Sequence, residues 1–208
     1  MKMKHIVMSL AAAGAVVMTG CGSSHHDEAT GYNGVFVDDA VDGVTFSCGN
    51  VSGTTHDGGH FGTCAGGSKV EFSVGNLILG SSSATKDGVF FVTDIVGVPR
   101  DSVDNAKVLQ VAQVLQSFDV DGDPSNGITV TPAVVKSVND LVKPGTKLAD
   151  VDDLDTGLGL QKIVEETKKT HPEMKVVTAD EAEKNLAEAK EKVDNGDFKP
   201  KAPTGAQG

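Results

Sequence analysis

Tryptophan is absent and tyrosine occurs once. A surface that stacks sugars or unpaired bases needs aromatic platforms, so the sequence argues against both. Basic residues are scarce in the front of the chain. From Cys21 to Val138 there are five Lys/Arg against fourteen Asp/Glu, and from Asn139 onward eleven against fifteen. Nucleic-acid binding rests on a basic face that releases counterions, and direct attraction to anionic lipid needs a polybasic patch. Neither is present. No C-x-x-C, C-x-x-C-H, G-x-S-x-G or P-loop pattern occurs, which argues against a redox pair, a zinc knuckle, covalent haem, a nucleophile elbow and a phosphate cradle. No apolar run reaches the length that spans a bilayer; the longest runs from about Ile6 to Met18.

That short run has a meaning of its own. Lys2 and Lys4 precede it, and the small residues Thr19 and Gly20 follow it before Cys21. A positive start, an apolar centre and a small-residue cut site make a secretory signal. Met18-Thr19-Gly20-Cys21 resembles the lipobox of bacterial lipoproteins. The resemblance implies that residues 1–20 are removed and that Cys21 is acylated, and a doubly or triply acylated residue anchors stably to a membrane. Residues 21–32 then read as a polar tether. Position 22 is Gly rather than Asp, which leans the expected location to the outer membrane or cell surface. Removal of residues 1–20 leaves 208 − 20 = 188 residues with a formal charge of 16 − 29 = −13. This charge favours solubility and divalent cations.

Three cysteines less Cys21 leave Cys48 and Cys64. An even remainder in an exported chain reads as one disulfide, worth about 3 kcal/mol for a loop of this size in the chain-entropy model. Similar spacings around the Asp57-Gly58-Gly59 turn put the two cysteines on paired or neighbouring strands.

The expected fold class is α+β: a small antiparallel β-sandwich at 33–100, then about four helices at 101–196. The runs VFVDDAV, GVTFSC, HFGTC, KVEFSVG and NLILG read as strands bounded by turn residues. Three stretches resemble the small β-sandwich modules of bacterial surface proteins, the collagen-adhesin B-type and carboxypeptidase regulatory-like (transthyretin-like) domains. They are VFVDDAVDGV at 35–44, T-x-x-x-G-x-F at 55–61 and G-G-x-x-V-x-F at 66–72. The resemblance covers about a quarter of the chain and implies a binding or structural role. His56 stands where such modules often carry Asp, and the disulfide is not general among them.

From Asp104 the apolar period becomes helical: Val108, Val111, Ala112, Leu115, Phe118. Thr131-Pro132 opens a second helix, a third lies at about 157–170, and a capping box from Thr178 to Glu181 opens a fourth that ends near Asn195-Gly196. Residues 197–208 are Pro-rich, poor in apolar residues and expected to be disordered. The segment NAKVLQVAQVLQSFDVDGDPSNGITVTP is similar to a helix-plus-Asp-loop unit that follows such β-modules in bacterial surface proteins of unassigned function.

The loop 119–127 carries the one candidate metal site, for Ca²⁺. Asp119, Asp121, Asp123, Ser125 and Asn126 offer oxygens on alternating or adjacent residues between two helices, and calcium takes six to eight oxygens. The EF-hand template fails in both registers. Counted from Asp119, position six is Pro124 and position twelve Val130; counted from Asp121, they are Asn126 and Pro132. An acid from elsewhere, such as Asp150, Asp152 or Asp153, would have to close the shell. The competing reading is a connector of Asx turns whose side chains cap backbone. His56 and His60, four apart around two glycines, read as an exposed pair rather than a zinc site with Asp57. The acid pairs Asp38/Asp39, Asp152/Asp153 and Glu165/Glu166 read as solvated faces.

The sequence therefore points to a non-enzymatic envelope lipoprotein, a surface binding or structural module for adhesion or envelope assembly. Its partners would be the membrane, through lipid, and a protein or extracellular-matrix component, with no nucleic acid. The alternatives are an accessory subunit docking an outer-membrane or periplasmic complex, and a hydrolase with an unrecognised site.

Overall fold

The computed structural model describes residues 31–202. The signal segment, Cys21 and most of the tether lie outside these residues. The β-rich part contains β1 (Tyr32–Val37), β2 (Val41–Asp42), β3 (Thr45–Cys48), β4 (Val51–Thr54), β5 (His60–Cys64), β6 (Val70–Val74), β7 (Leu77–Ser82) and β8 (Val89–Phe91). Next come α1 (Val92–Val96), α2 (Ala106–Ser117), β9 (Ile128–Thr129), α3 (Pro132–Leu141), β10 (Thr146–Lys147), α4 (Leu160–Thr167) and α5 (Ala179–Asp194). This is the expected α+β arrangement, a β-sandwich-like part followed by helices.

Two sheets make the sandwich-like part. One has the order β5-β1-β8 and the other β10-β7-β6-β3-β4. In β6, Val70, Phe72 and Val74 are buried while Glu71 is exposed, the period-two pattern of a strand with one wet face. β1 is the middle strand of its sheet, and Val35, Phe36 and Val37 are all inaccessible. Between the sheets lies a layer of rings. Phe36 stacks on Phe72 with centroids 4.2 Å apart, and Phe61 meets Phe72 and Phe90 edge-on at 5.2 and 5.1 Å. Gly34 makes room for that layer, because a Cβ there would come within 2.5 Å of the Phe61 ring and 2.6 Å of Phe90.

The pairing is not wholly antiparallel. β8 runs parallel to β1, β10 parallel to β7, and β9 parallel to β2. Each parallel pair is closed by a long crossover rather than a hairpin. β9 and β10 come from the helical half of the chain, so the helices return two short strands to the β-rich part. One apolar core runs from Val35 to Ala189 through both halves.

Cys48 and Cys64 form the expected disulfide, with Cα atoms 5.6 Å apart. They do not lie on paired strands. β3 belongs to the five-stranded sheet and β5 to the three-stranded one, so the bridge ties the two sheets together, and both sulfurs are buried.

The helices follow their caps. Asn105, one residue after the expected Asp104, starts α2 by accepting the N–H groups of Lys107 and Val108. Thr178 and Glu181 form the capping box of α5. Val111, Ala112 and Leu115 of α2 are buried, as are Ala182, Leu186 and Ala189 of α5, and the small residues of α5 let the two helices pack closely. α1 was not foreseen. It follows the apolar run Val89–Val92 without a break, and the Asp94 carboxylate turns the chain by accepting the Phe91 N–H at 2.9 Å. Arg100 then binds both Asp94 and Asp87.

The tail also differs from expectation over residues 197–202. Phe198 packs on the core, and Pro200 covers Gly88, where an added Cβ would sit 2.6 Å from its ring. The Lys201 carbonyl accepts a hydrogen bond from Asn33 Nδ2 at 3.1 Å. One aromatic residue and one proline thus dock a segment that composition alone assigns to solvent.

Candidate metal centre at the aspartate loop

Helix α2 ends on Phe118, whose ring is inaccessible, and Asp119 follows at 1% exposure. The Thr129 N–H donates to Asp119 Oδ1 at 2.9 Å, and the Val120 N–H donates to the Thr129 carbonyl. These bonds hold the first carboxylate of the loop against β9. Its second oxygen, Oδ2, is buried and has no hydrogen-bond partner. A buried polar atom without a partner carries a full desolvation cost, about 1–3 kcal/mol and more for a charge. Burial accordingly pushes the Asp119 carboxyl up to about 7; the Thr129 N–H pulls it down, and the neighbouring Asp121 carboxylate pushes it further up.

Asp121 lies against Asp119 and is held below the ordinary carboxylate range, chiefly by its contact with Asp119 and then by the Asp123 N–H and the Asn126 amide. One member of the pair favours the proton and the other the charge, and a cation between them could replace that shared proton. The remaining candidates serve the loop itself. Asp121 Oδ1 accepts the Asp123 N–H at 2.9 Å, and Asp121 Oδ2 accepts from Asn126 Nδ2 at 3.2 Å. Asp123 Oδ1 accepts from the Ser125 hydroxyl at 2.6 Å and from its N–H at 3.3 Å. Gly122, at φ +72°, could carry no side chain, since a Cβ would meet the Glu173 carbonyl at 2.6 Å. The loop thus has the hydrogen bonds of successive Asx turns, with one oxygen left over.

Asp119 and Asp121 are brought together; Asp123, Ser125 and Asn126 are near but engaged with one another. Among the described residues no three His, Cys, Asp or Glu side chains converge as a ready cage. Asp150, Asp152 and Asp153 cannot close the shell. Gln110 binds the carbonyls of Val151 and Asp152, and Gln110 lies nine residues before Asp119, about 13 Å of helix rise. Asp153 instead caps the next turn, accepting the N–H groups of Asp155 and Thr156.

A neighbouring carboxylate pair escaped the sequence reading. Asp38 and Asp39, expected on a solvated face, are 2% and 9% exposed. Asp38 accepts from Gln116 Nε2 at 3.2 Å, and Gln116 Oε1 accepts from Asn185 Nδ2 at 2.9 Å, which joins β1, α2 and α5. Burial raises the Asp38 carboxyl well above its usual range, against the pull of the Gln116 amide. Asp39 pairs with Lys192, whose ammonium also reaches the Ser125 carbonyl at 3.3 Å. The only hint in the sequence was the position of Asp38 directly after the apolar run Val35–Val37, which ends β1. A carboxylate there has no wet face to turn to.

The other sequence candidates fall elsewhere. Cys21 is outside the described residues. His56 and His60 sit across a turn at the far end of β5. Thr131 Oγ1 meets His171 Nε2 at 3.2 Å, a contact that fastens the start of α3 to the segment after α4. Among the described residues no helix is long and apolar enough to cross a membrane. Comparison with known proteins finds no matching family model, no matching curated protein and no matching solved structure.

Proposed function

We propose that the chain is a non-enzymatic, lipid-anchored module of the bacterial cell envelope, and that its aspartate loop takes a calcium ion which locks the β-rich part to the helices. The observation that carries this reading is the buried Oδ2 of Asp119, which has no donor, in a carboxyl that lies against Asp121. The Asp121 and Asp123 carboxylates beside it already accept hydrogen bonds within the loop, and their remaining lone pairs would have to serve the ion as well. A hard cation seeks that chemistry, and the wholly oxygen-based donor set favours calcium over zinc.

Export is supported by the layout of residues 1–21 and by the Cys48–Cys64 bridge, since such bridges persist in oxidising compartments. The lipid on Cys21 would hold the acidic body at the outer membrane or cell surface, where a protein of the envelope or the extracellular matrix is its partner. The buried carboxylates support a structural rather than a catalytic role. Asp38 spends its oxygens on Gln116, inside the junction of β1, α2 and α5.

Two measurements test the proposal. Intact-mass spectrometry of the chain recovered from native membranes should show an acylated N-terminal Cys21; an unacylated chain beginning at Met1 in the cytosol contradicts it. Capture of partners from solubilised membranes should weaken when a calcium chelator is added. Retention of every partner in chelator would separate the loop from the role.

A further inference from the structure

We propose that His56 and His60 form a two-imidazole site for a borderline divalent cation, Zn²⁺ or Cu²⁺, at the turn before β5, independent of the aspartate loop.

The backbone brings the two side chains together. The His56 N–H donates to the His60 carbonyl at 3.0 Å, and the His60 N–H donates to the His56 carbonyl at 2.9 Å. This mutual exchange makes them directly opposed residues of an antiparallel pair. Opposed residues project to one face with Cβ atoms about 5 Å apart. The intervening Asp57, Gly58 and Gly59 all adopt positive φ, and Asp42 Oδ1 accepts the N–H groups of Gly58 and Gly59 at 3.0 and 2.6 Å. The glycines that argued against a helical pair are what close the tight turn and place the rings opposite each other.

The two rings have different surroundings. His56 Nδ1 lies 3.3 Å from Asp57 Oδ2. A carboxylate on one imidazole nitrogen fixes the tautomer and makes the other nitrogen a better ligand. His60 Nδ1 is buried and has no partner, so the ligand from this ring would be Nε2. Both rings line one cavity of about 240 Å³, and its wall includes Asn33, whose Oδ1 is also buried without a partner. The Lys201 ammonium also reaches Asp57 Oδ2 at 3.2 Å, so that carboxylate is shared between the His56 ring and a lysine. Zinc and copper accept imidazole nitrogen at about 2.0–2.1 Å and keep water in open positions. Calcium, which prefers oxygen, would not compete here.

The test is calorimetric titration of Zn²⁺ into the full mature chain carrying no purification tag, in a His25→Ala/His26→Ala background that removes the adventitious pair. The expected result is one Zn²⁺ per chain, weakened about tenfold or more by His56→Ala and by His60→Gln, and unchanged by Asp119→Asn. Each variant should keep the parental melting temperature in EDTA. In the parental chain the ring-proton resonances of His56 and His60 should shift with Zn²⁺ while those of His171 stay. No binding, binding unaffected by both histidine variants, or loss of binding in Asp119→Asn would overturn the proposal. Failure of calcium to bind the aspartate loop would leave it standing.

Discussion

Asp119 is the residue on which charge and fold conflict. Its folded pKa, about 7, lies above the ordinary carboxyl value of 3.8. A carboxyl with a raised folded pKa binds more protons folded than unfolded. Its contribution to stability is therefore full below about pH 4 and is lost as pH climbs toward 7. Asp38 is shifted the same way. In chelator the protein should thus melt at a higher temperature at pH 6 than at pH 8, and Asp119→Asn should flatten that difference. The same substitution should raise metal-free stability at pH 8 by about 1–2 kcal/mol, because a neutral amide replaces a buried charge with only one of its two oxygens bonded. In calcium it should instead be the less stable form. A change of sign between chelator and calcium, read by thermal melts, separates a metal ligand from a simple cap; destabilisation by the same amount in both would mark Asp119 as a cap alone.

At the level of elements, periodicity carried most of the information. Alternation marked β6, helical spacing marked α2, and capping chemistry marked α3 and α5. What failed were the places where local signals are shorter than the pattern that detects them. β9 and β10 have two residues each, and only their partners make them strands. α1 hides inside an apolar run because one carboxylate, Asp94, decides the switch from strand to helix. The disulfide was legible from counting; its placement between two sheets was not, because sheet membership is set by pairings distant in sequence. Its contribution is testable at this scale. Cys48→Ala/Cys64→Ala should cost about 3 kcal/mol in denaturant unfolding, and loss of the bridge should speed hydrogen exchange in β3 and β5 together. An effect confined to β3 would contradict its role as a link between sheets.

At the scale of the whole molecule, the two halves are bound by crossovers, by one continuous core and by the tail. Truncation after Asn195 removes Phe198 and Pro200 from the β-rich part and should lower stability by about 1–2 kcal/mol, from the apolar area uncovered. Denaturant midpoints would show it, and an unchanged midpoint would mean the tail only rests on the surface. The candidate site was half legible for a related reason. Asp119, Asp121 and Asp123 were visible as a string. That Asp119 faces inward, that Asp38 is buried beside α2, and that Asp152 lies too far along that helix depend on packing between halves. The histidine pair was read as exposed, and the His56 side chain is 66% exposed; that the two residues stand opposite each other across the turn depends on a backbone pairing that their spacing does not show. The most direct test of the account is the melting temperature of the full mature chain in calcium at about one hundred times its dissociation constant, against the same chain in EDTA. Binding to the folded state alone should raise stability by about 2.7 kcal/mol, a shift of about 5–10 °C at this size, absent in Asp119→Asn. Identical melts in calcium and EDTA would contradict the account and leave the loop as a set of turns.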